Sequence, residues 1–457
     1  MHPIFVTADK QAVPILFVTA KTFTEATKIL GTREHVFIKA AGFEPKAGKH
    51  LLVPNETGKL AGVLFGLEDA DDPAKDLFRP GALAGVLPPG AYRFANAPHD
   101  ARLAALAVAL GSYQFARYRK AQTRDVRLVV PEGVDGEDLS RIVEAATLAR
   151  DLINTPSNDM GPAELEEAGR ALAKQHGTKV QVTSGDKLAK EFPLVHAVGA
   201  GSARAPRLID ITWGKDSDPK ITLIGKGVAF DTGGLDIKSD AGMLNMKKDM
   251  GGAATAFALG HMIMARKLKV RLRVIVPAVE NSISGTSFRP RDIYKSRKGI
   301  SVEIGNTDAE GRLILADALA LASEEKPALI VDFATLTGAA RVALGPDVPP
   351  FFTDDDALAG EFMDSGAAEN DPVWRLPLWR PYEAMLDSKV ADLNNVGAGG
   401  HGGAITAALF LRRFVDVTSW LHLDIFAWTP SARPGRPEGA ELQSARALYA
   451  MLAARYS

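Results

Sequence analysis

The sequence predicts an α/β protein with a smaller N-terminal α/β domain, joined by a helix to a larger C-terminal domain. We expect the larger domain to have a mixed, mostly parallel sheet covered by helices on both faces. A length of 457 residues is long for one domain. Beyond residue 154, near-continuous apolar runs alternate with segments of helical periodicity, which is typical of a sheet buried on both faces. The strand-like runs are LIDITW, ITLIG, VRLRVIVPAV, ALIVDFA and WLHLDIFAW, and the helical segments are GGAATAFALGHMIMARKL, RLILADALALASEE and GAITAALFLRRFV.

The first part of the chain mixes short strand-like runs with one clear helix. The runs are PILFVTA, AGVLFGL and VRLVVP, and the helix begins at Asp100 with Leu103, Leu106 and Leu110 on one stripe. A second amphipathic helix follows PEGVDG and ends at NTPSNDMGP, where prolines stop helical geometry. We place the domain join along this helix, which predicts domains at 1–134 and 135–457.

The composition excludes several classes of function. Lys and Arg total 54 against 55 Asp and Glu, so the net charge of −1 gives no general attraction for nucleic acid or anionic lipid. There is no cysteine, which excludes disulfides, thiolate metal sites and a cysteine nucleophile. No signal peptide is recognisable, and no apolar run reaches the roughly 18 residues needed to span a bilayer. We therefore expect a cytoplasmic protein without a membrane segment.

Three polar segments of the larger domain are dense in charged residues. They are GKGVAFDTGGLDIK, MKKDMGG and NTDAEGR. We expect their acids to follow strands of one sheet, and ligands of such sheets gather at the carboxyl ends of the strands. Carboxylates that meet in a cleft repel one another unless lysine, arginine or divalent metal ions neutralise them. The residues concerned are the acids Asp231, Asp249, Asp308 and Glu310 and the cations Lys226, Lys238 and Arg312.

Each of these residues has a simpler structural interpretation when it is taken alone. Asp249 could favour the positive end of a helix dipole, and the two lysines could be solvated. Asp308 and Glu310 could cap the following helix, with Arg312 as their counter-ion. The joint occurrence of four acids near strand ends favours a site over these separate interpretations.

The available ligand types limit which metal ion the site could hold. Oxygen donors without cysteine suit Mg²⁺ or Mn²⁺, and Zn²⁺ also accepts carboxylates. None of the nine histidines lies in the three segments, so a histidine-rich zinc site is not expected. We expect His261, in a helix, and His422, in a strand, to be packing residues.

The three segments together resemble the two-metal leucyl (cytosol) aminopeptidase family. The resemblance runs from about Asn154 to the C-terminus, and the eight residues of NTDAEGRL are highly specific for the family. RDLINTPSNDMGP and GGAITAALFLRRF resemble further family segments, and ALGSYQFARY is similar to the end of the family's N-terminal domain. The resemblance implies a metal-dependent aminopeptidase that removes N-terminal residues from short peptides. It also implies a homohexamer.

The resemblance assigns five metal ligands. Asp231 and Glu310 would bridge two divalent ions, Mn²⁺ or Zn²⁺ and possibly Mg²⁺. Asp308 would complete the shell of one ion, and Lys226 with Asp249 would complete the other. Because an amine ligates only when neutral, the pKa of Lys226 would have to fall strongly.

The resemblance also assigns the remaining groups. Lys238 would stabilise the oxyanion that forms when a metal-activated water attacks the scissile carbonyl. Arg312, in the first turn of a helix, would hold a bicarbonate ion that accepts the proton of the water. The substrate-binding residues would be Met246, Asn306, Thr335, Leu336, Gly338 and Ala427.

The sequence departs from the family pattern at three places. Ser239 stands where the family often has proline, and Arg291 replaces the glycine of RPGD. After HLDI the chain reads FAWTPSARPGRPEGAELQ, so Phe426 and Trp428 border the pocket for the first side chain and argue against a leucine preference. Several of these departures are closer to the bacterial peptidase-B-like branch.

Two other functions are compatible with the residues. A two-metal phosphoesterase also uses a carboxylate-rich site, although the lysine ligand and the missing histidines disfavour it. The second alternative is a non-catalytic role, either as a scaffold or in DNA binding through the N-terminal domain. The near-zero net charge disfavours DNA binding.

Overall fold

The computed structural model describes residues 1–120 and 125–457, which form two compact units. The first unit consists of Met1–Thr147 and Pro430–Glu438, and the second consists of Leu148–Thr429 and Gly439–Ser457. Strands and helices are numbered below in chain order. The chain therefore enters the second unit, returns to the first over nine residues, and ends in the second.

The first unit is built on a six-stranded sheet with the order β1-β6-β5-β2-β4-β3. Every neighbouring pair is parallel except β3 and β4. The Asp100 side chain caps α3 by accepting a 2.8 Å hydrogen bond from the Leu103 amide, and the leucine stripe of that helix is buried. The elements are β1 Phe5–Val6, β2 Val13–Val18, α1 Phe23–Ala26, α2 Thr32–Ala40, β3 His50–Pro54, β4 Leu60–Gly66, β5 Gly90–Phe94, α3 Ala101–Gly111 and β6 Val126–Val129.

Helix α4, Gly136–Asn154, begins in the first unit and ends in the second. The second unit then alternates strands and helices. The strands are β7 Lys179–Ser184, β8 Arg207–Trp213, β9 Lys220–Gly225, β10 Gly227–Asp231, β11 Arg271–Asn281, β12 Ile293–Lys295, β13 Ser301–Glu303, β14 Leu329–Ala334, β15 Pro350–Phe352, β16 Trp374–Arg375, β17 Leu393–Asn394, β18 Trp420–Asp424, β19 Trp428–Thr429 and β20 Gly439–Ala440. The helices are α5 Pro162–Gln175, α6 Gly185–Glu191, α7 Pro193–Gly199, α8 Asp240–Met243, α9 Gly251–Arg266, α10 Glu310–Glu324, α11 Gly338–Leu344, α12 Asp356–Ala368, α13 Gly403–Arg412 and α14 Ala445–Tyr456.

The main sheet of the second unit has nine strands in the order β16-β15-β18-β14-β9-β11-β8-β7, with β10 also paired to β11. Strands β18, β14, β9 and β11 form a parallel centre, and β10 extends it. Antiparallel pairs occur towards the edges, where β15 meets β18 and β8 meets β11 and β7. The prediction of a mixed, mostly parallel sheet is confirmed.

Two layers of helices cover this sheet. Helices α5, α9 and α14 pack together in one layer, and α7, α10 and α13 form the other. Asp317 of α10 ties the second layer together, because its carboxylate accepts a 2.8 Å hydrogen bond from the Leu194 amide at the start of α7. No helix in the described ranges is long and apolar enough to cross a membrane.

Candidate active site

A cleft of about 650 Å³ in the second unit collects the charged residues of the three polar segments. Glu310 is buried next to the cleft, with 1% of its surface exposed. Its Oε1 lies 2.9 Å from the Nζ of Lys226, and Lys226 lines the cleft. The structure therefore brings all seven predicted charged residues together. Those that line the cleft are Lys226, Asp231, Lys238, Asp249, Asp308 and Arg312.

The acids reach the cleft from different kinds of element. Asp231 is the last residue of β10, whereas Asp249 lies in a 3-10 turn, Met246–Met250, that leads into α9. Asp308 follows β13, and Glu310 is the first residue of α10. The expectation that all four acids follow strands of one sheet is wrong, since β13 belongs to a separate three-stranded sheet, β12-β13-β17. The acids converge because the end of β10, the turn before α9 and the start of α10 all lie at the cleft.

Three of the carboxylates form one tight group. Asp231, Asp308 and Glu310 each offer an oxygen atom, and these atoms all lie within 4.8 Å of one another. Burial, together with the nearby Asp231 carboxylate, raises the pKa of Asp308 to about 6 and the pKa of Glu310 well above its ordinary value. Burial and mutual repulsion therefore both oppose ionisation of this group.

Two lysines face this group. Lys226 Nζ lies 2.8 Å from Asp249 Oδ2 and 2.9 Å from Glu310 Oε1. Lys238 Nζ lies 2.9 Å from Asp231 Oδ2 and also contacts Asp308. Burial lowers the pKa of both lysines, but the facing carboxylates outweigh burial and raise both pKa values. Lys226 is only 3% exposed, so the solvated interpretation does not apply to it.

The donor atoms suit divalent cations. Asp249 Oδ2, Asp308 Oδ1 and Glu310 Oε1 are buried, and the groups that face them are the ammonium ions of Lys226 and Lys238. Buried carboxylates require cations beside them, and divalent ions could take the place that the two ammonium groups occupy here. Five potential ligands that include four carboxylates and no thiol fit Mn²⁺, Zn²⁺ or Mg²⁺.

Neighbouring polar groups hold the acids in place. Asn281 is fully buried at the end of β11, and its Nδ2 donates to Asp231 Oδ1 at 2.8 Å. Thr335 Oγ1 donates to Asp249 Oδ1 at 2.7 Å. Asn281 was not recognised from the sequence, although it lies two residues after the strand-like run VRLRVIVPAV, where polar residues interrupt the apolar pattern.

Arg312 lies in the first turn of α10, and no acidic residue in the described part of the chain forms an ion pair with it. It is 7% exposed, its Nη1 donates to the Asn395 carbonyl at 2.7 Å, and no acceptor in the described chain reaches its Nε. Burial lowers the pKa of Arg312 to about 10. Among the described residues it makes no ion pair with Asp308 or Glu310, so the counter-ion interpretation is not realised.

The uncharged wall of the cleft contains most of the expected substrate-binding residues. Met246, Asn306, Thr335, Leu336 and Gly338 all line it. Phe426, which was expected to border the pocket, lines the cleft, whereas Ala427 and Trp428 are not among the residues that line it. Ala427 is fully buried and has a left-handed backbone with φ of 56°.

Two further cations, Lys248 and Arg341, line the cleft and were not predicted from the sequence. Arg341 Nη1 lies 2.9 Å from Asp424 Oδ1. Lys248 is buried, and burial lowers its pKa to about 8. The signal that could have identified Lys248 is the second lysine of MKKDMGG, directly before a predicted ligand.

The two histidines singled out in the sequence lie in the packed interior. His422 is fully buried in β18, with Nδ1 2.6 Å from Asp332 Oδ1, and its ring stacks on those of Trp420 and Phe352. His261 Nδ1 lies 3.0 Å from His176 Nε2. Neither lines the cleft.

Comparisons with known proteins agree with this geometry. The profile of the catalytic domain of the cytosol aminopeptidase family (M17) matches residues 147–449, and the profile of the M17 N-terminal domain matches residues 13–131. A probable cytosol aminopeptidase of Sinorhizobium medicae is 41% identical over 339 residues, covering 70% of this chain and 68% of the relative. A probable cytosol aminopeptidase of Roseiflexus castenholzii is 41% identical over 350 residues, covering 72% of each.

Solved structures are similar over nearly the whole chain. The cytosol aminopeptidase of Coxiella burnetii has a TM-score of 0.94 and 45% identity, covering 99% of this chain and all of that one. The bottromycin maturation enzyme BotP, in complex with Mn, has a TM-score of 0.86 and 31% identity, covering 97% of this chain and 99% of that one. On the family profiles, the relatives and the shared fold, the chain belongs to the cytosol aminopeptidase family, M17, and is a metallo-aminopeptidase.

Proposed function

We propose that the enzyme hydrolyses the N-terminal peptide bond of short peptides with two divalent cations held in the cleft. The observation that carries this proposal is the group of carboxylate oxygens from Asp231, Asp308 and Glu310 within 4.8 Å of one another. The Lys226–Asp249 pair lies directly beside this group, since Lys226 bridges Asp249 and Glu310.

The ligand sets that we propose are those that the family resemblance implies, and this arrangement is compatible with them. Asp231 and Glu310 would be shared by both ions, Asp308 would complete one shell, and Lys226 with Asp249 would complete the other. Lys226 would then have to lose its proton when the ions bind. When bound, two such ions polarise the scissile carbonyl and make a water nucleophilic near neutral pH. Mn²⁺ is favoured by the Mn complex of BotP, with Zn²⁺ or Mg²⁺ as alternatives.

Two cationic side chains would act on the substrate and the proton. Lys238 lines the cleft and keeps 16% of its side chain exposed, so its ammonium would be placed to stabilise the developing oxyanion. Arg312 would hold a bicarbonate ion as general base, because its Nη1 is anchored while its Nε has no acceptor among the described residues. The N-terminus of α10 also favours an anion there.

The remaining expectations concern the assembly and its surroundings. We propose a cytoplasmic homohexamer in which residues 135–457 form the catalytic domain and residues 1–134 serve assembly or regulation. Large apolar side chains exposed on the second unit support self-association. They include Leu235, Ile237, Leu244, Val342, Trp379 and Val390. Light scattering that gave the mass of a monomer would contradict the hexamer.

The activity can be tested with aminoacyl amides and dipeptides, each with Mn²⁺, Zn²⁺ or Mg²⁺ added to the metal-free protein. Cleavage should require both a metal ion and a free α-amine, so acetylation of that amine should abolish it. Cleavage of no aminoacyl substrate with any metal would contradict the proposal. Hydrolysis of phosphate esters that survives Lys238→Ala would instead favour the phosphoesterase alternative.

Variants separate the proposed roles. Glu310→Gln and Asp231→Asn should lose activity together with bound metal, because each removes a shared ligand. Lys238→Ala should keep both ions but lose about 100-fold or more in kcat, as expected for loss of an oxyanion donor. Lys215→Ala, at an exposed lysine, is the matched control. Unchanged metal content in Glu310→Gln would contradict the shared-ligand assignment.

A further inference from the structure

Asn395 is a fully buried residue to which the proposed mechanism assigns no role. We propose that Asn395 is a positioning residue of the reaction, whose side chain holds the loop 305–309 and whose carbonyl orients Arg312. Through the loop it sets the places of Asp308 and of Glu310, which directly follows. This inference deepens the proposed function and rests on it, since the two acids are ligands only if metal ions bind there.

Two strand ends bring Asn395 to this loop. Strands β13 and β17 are parallel, with Glu303 paired to Asn394, so the chain leaves both strands at the same edge of the three-stranded sheet. The Asn395 amide continues the pairing by donating to the Glu303 carbonyl at 3.0 Å. A Cβ atom at Gly305 would clash with the Asn394 side chain, so glycine allows the two segments to lie side by side.

The side chain of Asn395 uses its whole hydrogen-bonding capacity on this loop. Its Oδ1 accepts from the amides of Gly305 and Asn306 at 2.7 and 3.2 Å. Its Nδ2 donates to the carbonyls of Asn306 and Ala309 at 2.8 and 3.3 Å. A primary amide offers two acceptor and two donor positions, so all four are occupied. Because the four bonds span 305–309, they fix the path of the loop.

The loop in turn carries two of the proposed metal ligands. The Asn306 side chain accepts a 2.7 Å hydrogen bond from the Asp308 amide, and Ala309 directly precedes Glu310, the first residue of α10. Asp308 and Glu310 both belong to the group of carboxylates whose oxygen atoms lie within 4.8 Å of one another. A displacement of the loop would therefore change the spacing of these oxygen atoms. Hydrogen bonds behind the ligands commonly fix such spacing in metal sites.

The main chain of Asn395 also holds Arg312. The Asn395 carbonyl accepts from Arg312 Nη1 at 2.7 Å, and Arg312 lines the cleft. The guanidinium and the two acids therefore depend on one residue for their placement. Asn395 thus fixes the distance between the side chain proposed to hold the general base and the acids proposed to hold the metal ions, and catalysis is sensitive to such distances.

The experiment measures metal affinity, kcat at saturating metal and the urea midpoint of the metal-free protein for two variants. Asn395→Leu keeps the shape of the side chain and removes all four hydrogen bonds, whereas Asn395→Ser is smaller and leaves room for water at the freed groups. We expect metal affinity to fall about 10- to 100-fold in both variants, because the loop is no longer spanned. At saturating metal, kcat should remain about tenfold or more below the natural value, because Arg312 is displaced as well.

A similar asparagine in the first unit provides the matched control. Asn96 also bridges two segments with its side chain, since its Oδ1 accepts from the Phe17 amide at 2.8 Å and its Nδ2 donates to the Phe17 carbonyl at 2.7 Å. Asn96→Leu should lower the urea midpoint through the loss of these hydrogen bonds. Metal affinity and kcat should remain at their natural values.

Each outcome bears on one of the two proposals. Natural metal affinity and natural kcat in a folded Asn395→Leu or Asn395→Ser would overturn the positioning role, whatever the urea midpoint, and leave the proposed function in place. Weaker metal binding with a natural kcat at saturating metal would remove Arg312 from the proposal. If Asn395→Leu fails to fold, Asn395→Ser decides alone. If the natural protein binds no metal ion and cleaves no aminoacyl amide, both proposals fail.

Discussion

Arg291 has a backbone φ of 76°, a conformation that costs a residue with a side chain about 1–2 kcal/mol and costs glycine little. This geometry explains why glycine is usual at this position in the RPGD segment that the sequence resembles. The Arg291 side chain offsets part of this backbone strain by an ion pair, because its Nη1 lies 2.5 Å from Glu303 Oε1. The side chain is 83% exposed, however, so this ion pair contributes no more than about 1 kcal/mol.

Two substitutions separate the backbone cost from the ion pair. Arg291→Ala keeps the unfavourable φ and loses the pair, so it should be destabilising. Arg291→Gly loses the pair but relieves the backbone, and it should be more stable than Arg291→Ala by about 1 kcal/mol. Urea midpoints of the full chain measure the difference. Equal midpoints would show that the left-handed backbone at this position carries no cost.

At the scale of residues, the sequence identifies groups whose chemistry is unusual for their place. The acids and lysines of the three segments were predicted to form a site because charged residues are unusual directly beside buried apolar runs. Asn281 and Thr335 could not be assigned their structural roles, since a single buried hydrogen bond to Asp231 or Asp249 leaves no periodic trace. Of Phe426 and Ala427, both expected at the pocket, only Phe426 lines the cleft, and the residue pattern does not encode the left-handed φ of Ala427.

The start of helix α10 shows how an element fixes the site. Glu310 and Arg312 point into the site from its first turn, and Gly311 lies between them. A Cβ atom at Gly311 would lie 2.6 Å from Lys226 Nζ, which is too close for any real contact. The glycine therefore allows the helix to approach Lys226 closely enough for Glu310 to reach its ammonium at 2.9 Å.

Gly311→Ala should displace Lys226 while the buried face of α10 remains packed. Because small displacements of a positioned group cost large factors in rate, we expect kcat/KM to fall by about 100-fold and metal affinity to weaken. The unfolding midpoint should change little, since alanine favours the helix. Gly360→Ala, at an exposed glycine of α12 with open space around it, is the control. Full activity in Gly311→Ala would show that Lys226 can move without consequence.

At the scale of elements, long periodic segments were predicted well and short ones were not. Helices α3, α4, α9, α10 and α13 begin within two residues of the expected positions. The three-stranded sheet β12-β13-β17 was missed because its strands have two or three residues each, too few for a pattern to emerge. That omission produced the wrong expectation that Asp308 follows a strand of the main sheet.

A segment near the C-terminus returns the chain to the first unit before the chain ends in the second. Residues Pro430–Glu438 belong to the first unit, although β19 and β20 on either side of them belong to the second. Within the first unit, a Cβ atom at Gly435 would lie 2.9 Å from the Phe78 ring, and Arg436 lies over that ring at 4.9 Å. A sequence read in order assigns this segment to the domain that surrounds it, because local patterns carry no information on so distant a contact.

Gly435→Val tests whether this returning segment stabilises the first unit. The residue is buried with φ of 71°, so a β-branched side chain would meet both an unfavourable backbone and the Phe78 ring. We expect the free energy of unfolding of the first unit to fall by about 2 kcal/mol or more, which combines the cost of the backbone with overpacking. Proteolysis of native protein at sites in Met1–Thr147 should accelerate accordingly, and Ala432→Val, at an exposed position of the same segment, should leave the rate unchanged. Equal cleavage rates for Gly435→Val and the natural protein would show that the first unit does not depend on the segment.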